Sequence, residues 1–335
     1  MTNLTNTISK KNKHFSMNVF ILVLAIIGAV LPLIWDNPYT MQILILIFLY
    51  AAAAGAWNII GGYAGQVSLG HVAFFGLGAY TTALLYNFFG ISPWIGMILG
   101  GILAAVVAGL ISYPCFRLRG PFFTLATLAF AEVLRLLSIW ARPLTGGQVG
   151  VTILFNPGFK NFQFFGKTPY YYIALILMFL VLIVSIWIER SKFGYYLTAL
   201  KEDHDASEAL GINTAKYKLY AIAISGFLTG LCGAFYTQLL LFIEPLSVFT
   251  SHLSNQFAMI AVVGGAGTAV GPILGSVIIT PLNELLRGAL GGDFQGLNFV
   301  IFGAILILVV TFMPNGLVGF FKDMKAKINH RSESK

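Results

Sequence analysis

Apolar runs long enough to cross a membrane follow one another along most of this chain, and that pattern leaves few folds open to it. They fall at about Met17 to Trp35, Met41 to Ile60, Val67 to Phe88, Trp94 to Phe116, Phe122 to Ala141 and Tyr170 to Ile188. Each is near the roughly 20 residues that a helix needs to span the hydrocarbon core. Only 10% of all residues are charged, against about 25% in ordinary soluble domains. The expected fold class is therefore all-α, a polytopic integral membrane protein.

The charged residues that remain define the topology. Lys10, Lys11 and Lys13 precede the first run, which ends in Leu-Pro-Leu-Ile-Trp-Asp with no small-residue cleavage site, so it is expected to stay as a first helix with the N-terminus inside. Arg117 and Arg119 then fall in a cytoplasmic loop, and the longer 142–169 loop falls outside. The net charge of +8 needs no nucleic acid to explain it, because Lys and Arg gather in loops that stay inside. Lys322, Lys325, Lys327, Arg331 and Lys335 mark the C-terminal tail as cytoplasmic too.

Six crossings bring Glu189 to Lys218 back inside, and this stretch holds ten of the 20 basic and 12 acidic residues. It reads as a short amphipathic helix with Ala206, Ala209 and Leu210 on one side and a stop at Gly211, shaped to dock on a protein outside the membrane. An even number of crossings must separate it from the tail. Hydropathy shows three further segments, 219–243, 255–280 and 297–313, so the middle one must be divided. Gly264, Gly265, Gly267, Gly271 and Pro272 divide it into spans near 254–266 and 268–290, giving ten in all. The expected organisation is a tail at 1–16, a membrane region at 17–318 containing the 189–218 loop, and a second tail at 319–335.

Broken backbone at membrane depth is tolerated only where protein or a water-filled cavity covers it. Two such breaks occur. The first, Gly61 to His71, supplies Gly65, Gln66, Ser68, Gly70 and His71 as candidate pathway residues, and the second, Gly264 to Pro272, supplies Gly265, Gly267 and Gly271. Both begin with Gly-Gly and run on to Ala-Gly, a weak similarity that suggests two repeats meeting at a central path. Packing through small residues explains Gly267 and Gly271 equally well. Unsatisfied polar groups such as Ser68 and His71 must face a cavity or each other. In the fifth span, Glu132 and Arg135 stand three apart on one helix face and are expected to form a paired, inward-facing arrangement.

Several chemistries are excluded. No Gly-x-x-x-x-Gly-Lys-[Ser/Thr] phosphate loop is present. The glycines at 265–271 lack the strand and the acidic residue of a dinucleotide fingerprint, and no nucleophile–base set is visible. His71 has no second ligand at metal spacing, and Cys115 and Cys232 sit inside apolar runs. No metal or cofactor is expected, and the chain reads as a conduit driven by something else.

Three strings carry a family resemblance. Gly62-Tyr-Ala-Gly-Gln-Val-Ser-Leu-Gly-His-Val-Ala-Phe-Phe-Gly-Leu-Gly-Ala-Tyr80 is the first, and the run from Arg117 to Arg135 followed by Leu144-Thr-Gly-Gly-Gln-Val-Gly150 is the second. The third is Asp205-Ala-Ser-Glu-Ala-Leu-Gly211 followed by Ile212-Asn213, which resembles the Glu-Ala-Ala…Gly docking loop of ATP-binding-cassette importers with Asp and Ser substituted. Together they resemble the branched-chain amino acid permeases of such importers, specifically the LivM-type subunit, over roughly residues 40 to 315. The resemblance implies an importer permease fold, with Lys201, Glu202, Asp205, Ala206, Glu208, Ala209 and Gly211 coupling to an ATPase. It also implies a second related permease, two ATPases, an external binding protein and a place in a bacterial cell membrane. Related permeases carry urea or short amides. A different class, a stand-alone secondary transporter using Glu132, Glu244 or Glu284, would need no docking helix.

Overall fold

The computed structural model describes residues 24–32, 37–116, 118, 120–290, 300, 301, 303, 304, 307, 311 and 316–320. The tail at 1–16, the tail at 319–335 beyond residue 320, Arg117, Arg119 and most of the first and last expected spans lie outside these. Helix α1 covers 24–32. It is followed by α2 (Pro38–Asn58), which runs on as a π-helical turn at Ile59–Tyr63, then α3 (His71–Phe89), α4 (Pro93–Cys115), α5 (Pro121–Trp140) and the single turn α6 (Arg142–Thr145). After a short strand β1 (Val151–Thr152) come α7 (Thr168–Arg190), α8 (Lys192–Glu202), α9 (His204–Ala209) and α10 (Thr214–Leu240). Strand β2 (Phe242–Ile243), α11 (Pro245–Val248), α12 (Ser251–Gly265) and α13 (Gly271–Leu290) complete the order. Among the described residues, seven helices are long and apolar enough to cross a membrane, and α13 contributes a shorter apolar stretch.

Proline opens α2, α4, α5 and α7 within the first two positions, where its missing N–H costs no intrahelical bond. Helix α2 is the axis of the bundle. Its membrane stretch is 89% buried while that of α5 is only 17% buried, so α2 packs on all sides and α5 stands at the edge. The division of the 255–280 segment is observed: α12 ends at Gly265 and α13 starts at Gly271. Gly275 explains why the hairpin closes so tightly, since a Cβ there would lie 3.0 Å from both the Gly264 nitrogen and the Ile260 carbonyl carbon.

Contacts between the loops sort them onto two sides, in agreement with the expected parity. On one side β1 pairs antiparallel with β2, matching Val151 to Ile243. There, too, Trp94 Nε1 donates to the Phe159 carbonyl at 2.8 Å and Lys167 Nζ to the Pro38 carbonyl at 3.0 Å. On the other side the end of α2, the start of α5, helices α8 and α9 and the α12–α13 turn converge.

Two expectations need correction. The third span begins at His71 rather than Val67, because residues 64–70 form an irregular turn held by hydrogen bonds to Ile60, Trp57 and Thr127. The docking segment is two helices rather than one. Asp203 leaves the helical region at φ −152°, and its carboxylate caps α9 by accepting from the Asp205 and Ala206 N–H groups at 3.0 Å.

Candidate functional site

The two glycine breaks, 200 residues apart in sequence, meet on a single buried side chain. Asn58, at the end of α2, donates from Nδ2 to the Thr268 carbonyl at 2.9 Å and accepts at Oδ1 from the Gly267 N–H at 2.8 Å. It satisfies one donor and one acceptor of the interrupted α12–α13 backbone, as buried main-chain groups require. Gly62 allows this approach, since a Cβ there would overlap Asn58 Oδ1 and the Gly267 nitrogen. The docking segment reaches the same point. A Cβ added at Gly65, whose φ is +67°, would lie 2.8 Å from Lys201 Cγ, and one at Gly267 would lie 3.7 Å from Lys201 Nζ. Lys201 thus lays its stem over one break and its ammonium beside the other. Asn58 was not among the residues expected from sequence; the available signal was an amide inside an apolar run, which must find partners in the membrane.

Ser68 and His71 are wholly buried and satisfy each other. His71 Nδ1 stands 3.1 Å from Ser68 Oγ, and its Nε2 stands 2.7 Å from Ser225 Oγ on α10. Ser225 donates to the Ala56 carbonyl at 2.6 Å, so it accepts from His71 Nε2–H. Trp57 Nε1 adds a bond to the Ser68 carbonyl at 2.6 Å. These two side chains therefore lock α2, α3 and α10 together, and Gly65, Gln66 and Val67 are the part of the segment that faces outward. With Gly120, Pro121, Thr124 and Leu125 they bound an open cavity of about 490 Å³. Gly271 and Gly265 are buried in the α12–α13 turn, while Gly267 is half-buried at the junction.

The two glycines of the first break should respond differently to Leu. At Gly70 a Cβ would lie 2.6 Å from the Thr127 carbonyl oxygen and 2.9 Å from Thr127 Cβ, so Gly70→Leu must push α5 away. Overpacking of that kind costs about 1–3 kcal/mol, and folded yield should fall with uptake. Gly65→Leu meets a flexible lysine instead. Its φ of +67° adds about 1–2 kcal/mol of backbone strain for Leu, so yield should fall, but less than for Gly70→Leu, while uptake drops; normal uptake by both variants would remove this segment from transport.

Helix α9 presents Ala206, Ala209 and Leu210 to solvent, Leu210 at 83% exposure, and turns only Ser207 inward. Gly211 closes it at φ +83°. Its N–H bonds to the Glu208 carbonyl at 2.9 Å and that of Ile212 to the Ser207 carbonyl at 3.1 Å, a Schellman stop. Thr214 donates to Glu208 Oε1 at 2.6 Å, fastening α9 to α10. Glu202 and Asp205 are exposed alongside. His204, Asp205 and Glu208 bring ligand atoms within 4.8 Å of one another, a grouping that the sequence reading overlooked. Their spacing is that of neighbours on one helical turn.

Arg135 and Glu132 pair, with Arg135 Nε donating to Glu132 Oε2 at 2.9 Å and Nη2 to Oε1, but on an exposed face of this chain rather than turned inward, because α5 stands at the edge of the bundle. Glu244 is at the opposite end of the bundle, where it caps α11 with Ser247, and Glu284 is on α13.

The chain has relatives among known proteins. The family described as branched-chain amino acid transport system / permease component matches residues 39–310. The high-affinity branched-chain amino acid transport system permease protein LivM of Escherichia coli K12 is 28% identical over 323 residues, covering 90% of this chain and 74% of the relative. The high-affinity branched-chain amino acid transport system permease protein LivH of the same organism is 24% identical over 285 residues, 81% of this chain and 91% of the relative. The ribose import permease protein RbsC of Haemophilus influenzae is 27% identical over 228 residues, 67% and 66% of the two chains. No solved structure matches significantly.

Proposed function

The chain belongs to the branched-chain amino acid transport system permease family, a multi-pass membrane protein, and from that premise we propose that it is the permease subunit of an ATP-driven importer. Its cargo is an apolar, branched-chain amino acid handed over by an external binding protein. A second related permease completes the pathway, and two ATPases, which this chain does not contain, supply the energy. The observation that carries this reading is the continuity from α9 to the glycine breaks. An exposed Ala/Leu face stands ready for a partner, and Lys201, at the end of the adjoining α8, rests on Gly65 and beside Gly267.

In this reading, ATP binding draws the ATPases together and carries α9 and α8 with them. Lys201 passes the movement to the two breaks, which Asn58 keeps in step, and the bundles rock between inward-open and outward-open states. Gly65, Gln66, Gly267 and the wall from Gly120 to Leu125 lie nearest the path, while Ser68, Gly70, His71, Gly265 and Gly271 hold its frame. The tails at 1–16 and 319–335 and the 189–218 loop face the cytoplasm around the 17–318 permease region.

Cysteine labelling tests the topology, in a chain whose Cys115 and Cys232 have been replaced. Single cysteines at 13, 209 and 327 should be inaccessible to a membrane-impermeant maleimide added to intact cells, and one at 160 should react. Reaction at 209 with protection at 160 would invert the protein and end the importer reading. The function itself is tested by expressing the chain with candidate ATPase, permease and binding-protein subunits and measuring leucine uptake, which should require all of them and ATP.

A further inference from the structure

The Glu132–Arg135 pair occupies an odd place for an element of structure. Both charges belong to α5, the least buried span, and among the described residues neither side chain bonds to any other helix. The pair therefore ties nothing together. Glu132 is 52% exposed and Arg135 20%. Eleven residues into the helix, Glu132 sits about 16 Å along the axis from Pro121 at a 1.5 Å rise per residue, close to mid-membrane. An exposed ion pair at that depth is costly against lipid, so its face must border water or protein.

The same face runs down to the cavity. Pro121, Leu125 and Glu132 fall at i, i+4 and i+11 and so share one side of the helix, and Pro121 and Leu125 wall the cavity with Gly65 and Gln66. Ala129 and Leu136 are exposed on that side too. One stripe thus leads from the glycine break to two opposite charges with apolar surface on either side.

We propose that Glu132 and Arg135 form a relay site in the pathway that reads the zwitterion of a free amino acid. The inference rests on the importer reading above and specifies what that pathway binds. A guanidinium has five N–H donors. Two are committed to Glu132, and the remaining three can hold the α-carboxylate of the cargo. Each Glu132 oxygen accepts a single bond from Arg135 and keeps capacity for an α-ammonium. A ligand with both charges on one carbon completes an alternating set of four charges, and its branched side chain lies along Leu125, Ala129 and Leu136. Neutral amides and sugars make no such demand.

The test uses the assembled transporter in nanodiscs with a cysteine at Ala129 as reporter. Leucine at about ten times its Kd should slow maleimide labelling roughly tenfold, the protection given by simple mass action. Leucinamide, which lacks the carboxylate, and 4-methylpentanoate, which lacks the ammonium, should not protect. Arg135→Gln and Glu132→Gln should each abolish protection by leucine, and Arg135→Lys, which keeps the charge without the fork, should leave part of it. Gel filtration checks assembly; if the single variants do not assemble, Glu132→Leu/Arg135→Leu removes the pair as a unit and should also lose protection. Wild-type protection in the neutral variants, or equal protection by the two truncated analogues, overturns the site. That failure differs from failure of the importer reading, which would show as leucine uptake by the wild-type complex that needs no ATP.

Discussion

Replacing Asn58 by Leu is expected to reduce uptake to below about a tenth of wild type, the effect of a free-energy change of about 1.4 kcal/mol or more. Leu nearly matches Asn in shape but can neither donate to the Thr268 carbonyl nor accept from the Gly267 N–H. Each buried group left unpaired costs about 1–3 kcal/mol. The loss falls on the side chain that hydrogen-bonds the end of α2 to the α12–α13 turn, so the relative position of the two breaks should loosen even where the protein still inserts. Asn58→Asp separates the two bonds: it keeps the acceptor for Gly267 but sets a carboxylate against the Thr268 carbonyl oxygen, and it should do no better than Leu. The measurement is ATP-dependent uptake normalised to the amount of assembled complex. Normal transport by Asn58→Leu would mean that the two breaks need not move together.

Hydropathy and charge parity made most of the bundle legible in the sequence, since a span must be apolar for its whole length and loops must fall on alternating sides. The break at 264–271 shows the strength of parity: the 255–280 segment is apolar enough overall to read as one span, yet an even number of crossings demanded its division at the glycines, and the helices end and restart there. Local polar chemistry was less legible. The third span starts four residues later than its apolar run because the Ser68 carbonyl takes a bond from Trp57 and the Thr127 hydroxyl accepts from the Leu69 N–H, neither of which hydropathy records. The docking segment divides at Asp203 because a carboxylate there caps the following turn better than it continues the preceding one. Ser225, which holds His71 from α10, and Thr268, which holds Asn58 from the α12–α13 turn, lie 154 and 210 residues away, distances over which one sequence carries no signal. The similarity between the two glycine strings was visible; that an asparagine outside both of them joins them was not.

Ala206→Glu is expected to collapse transport with little effect on the permease itself. Ala206 is exposed in the first turn of α9, and its N–H is already held by the Asp203 carboxylate. Acidic side chains are favoured near helix N-termini by about 0.3–1 kcal/mol, so the isolated chain should tolerate the change. A docked chain should not. If α9 fills a groove of an ATPase with Ala206, Ala209 and Leu210, a carboxylate there is buried without a partner, at a cost of several kcal/mol. The ATPases should then co-purify poorly, or hydrolyse ATP without responding to the loaded binding protein, while membrane insertion is unchanged. Leu210→Ala should produce a weaker version of the same defect. In a stand-alone carrier both variants would transport normally, and uptake would persist after ATP depletion for as long as an ion gradient remained. That pattern would remove α9 from energy coupling and return Glu132, Glu244 and Glu284 to consideration as ion-coupling groups.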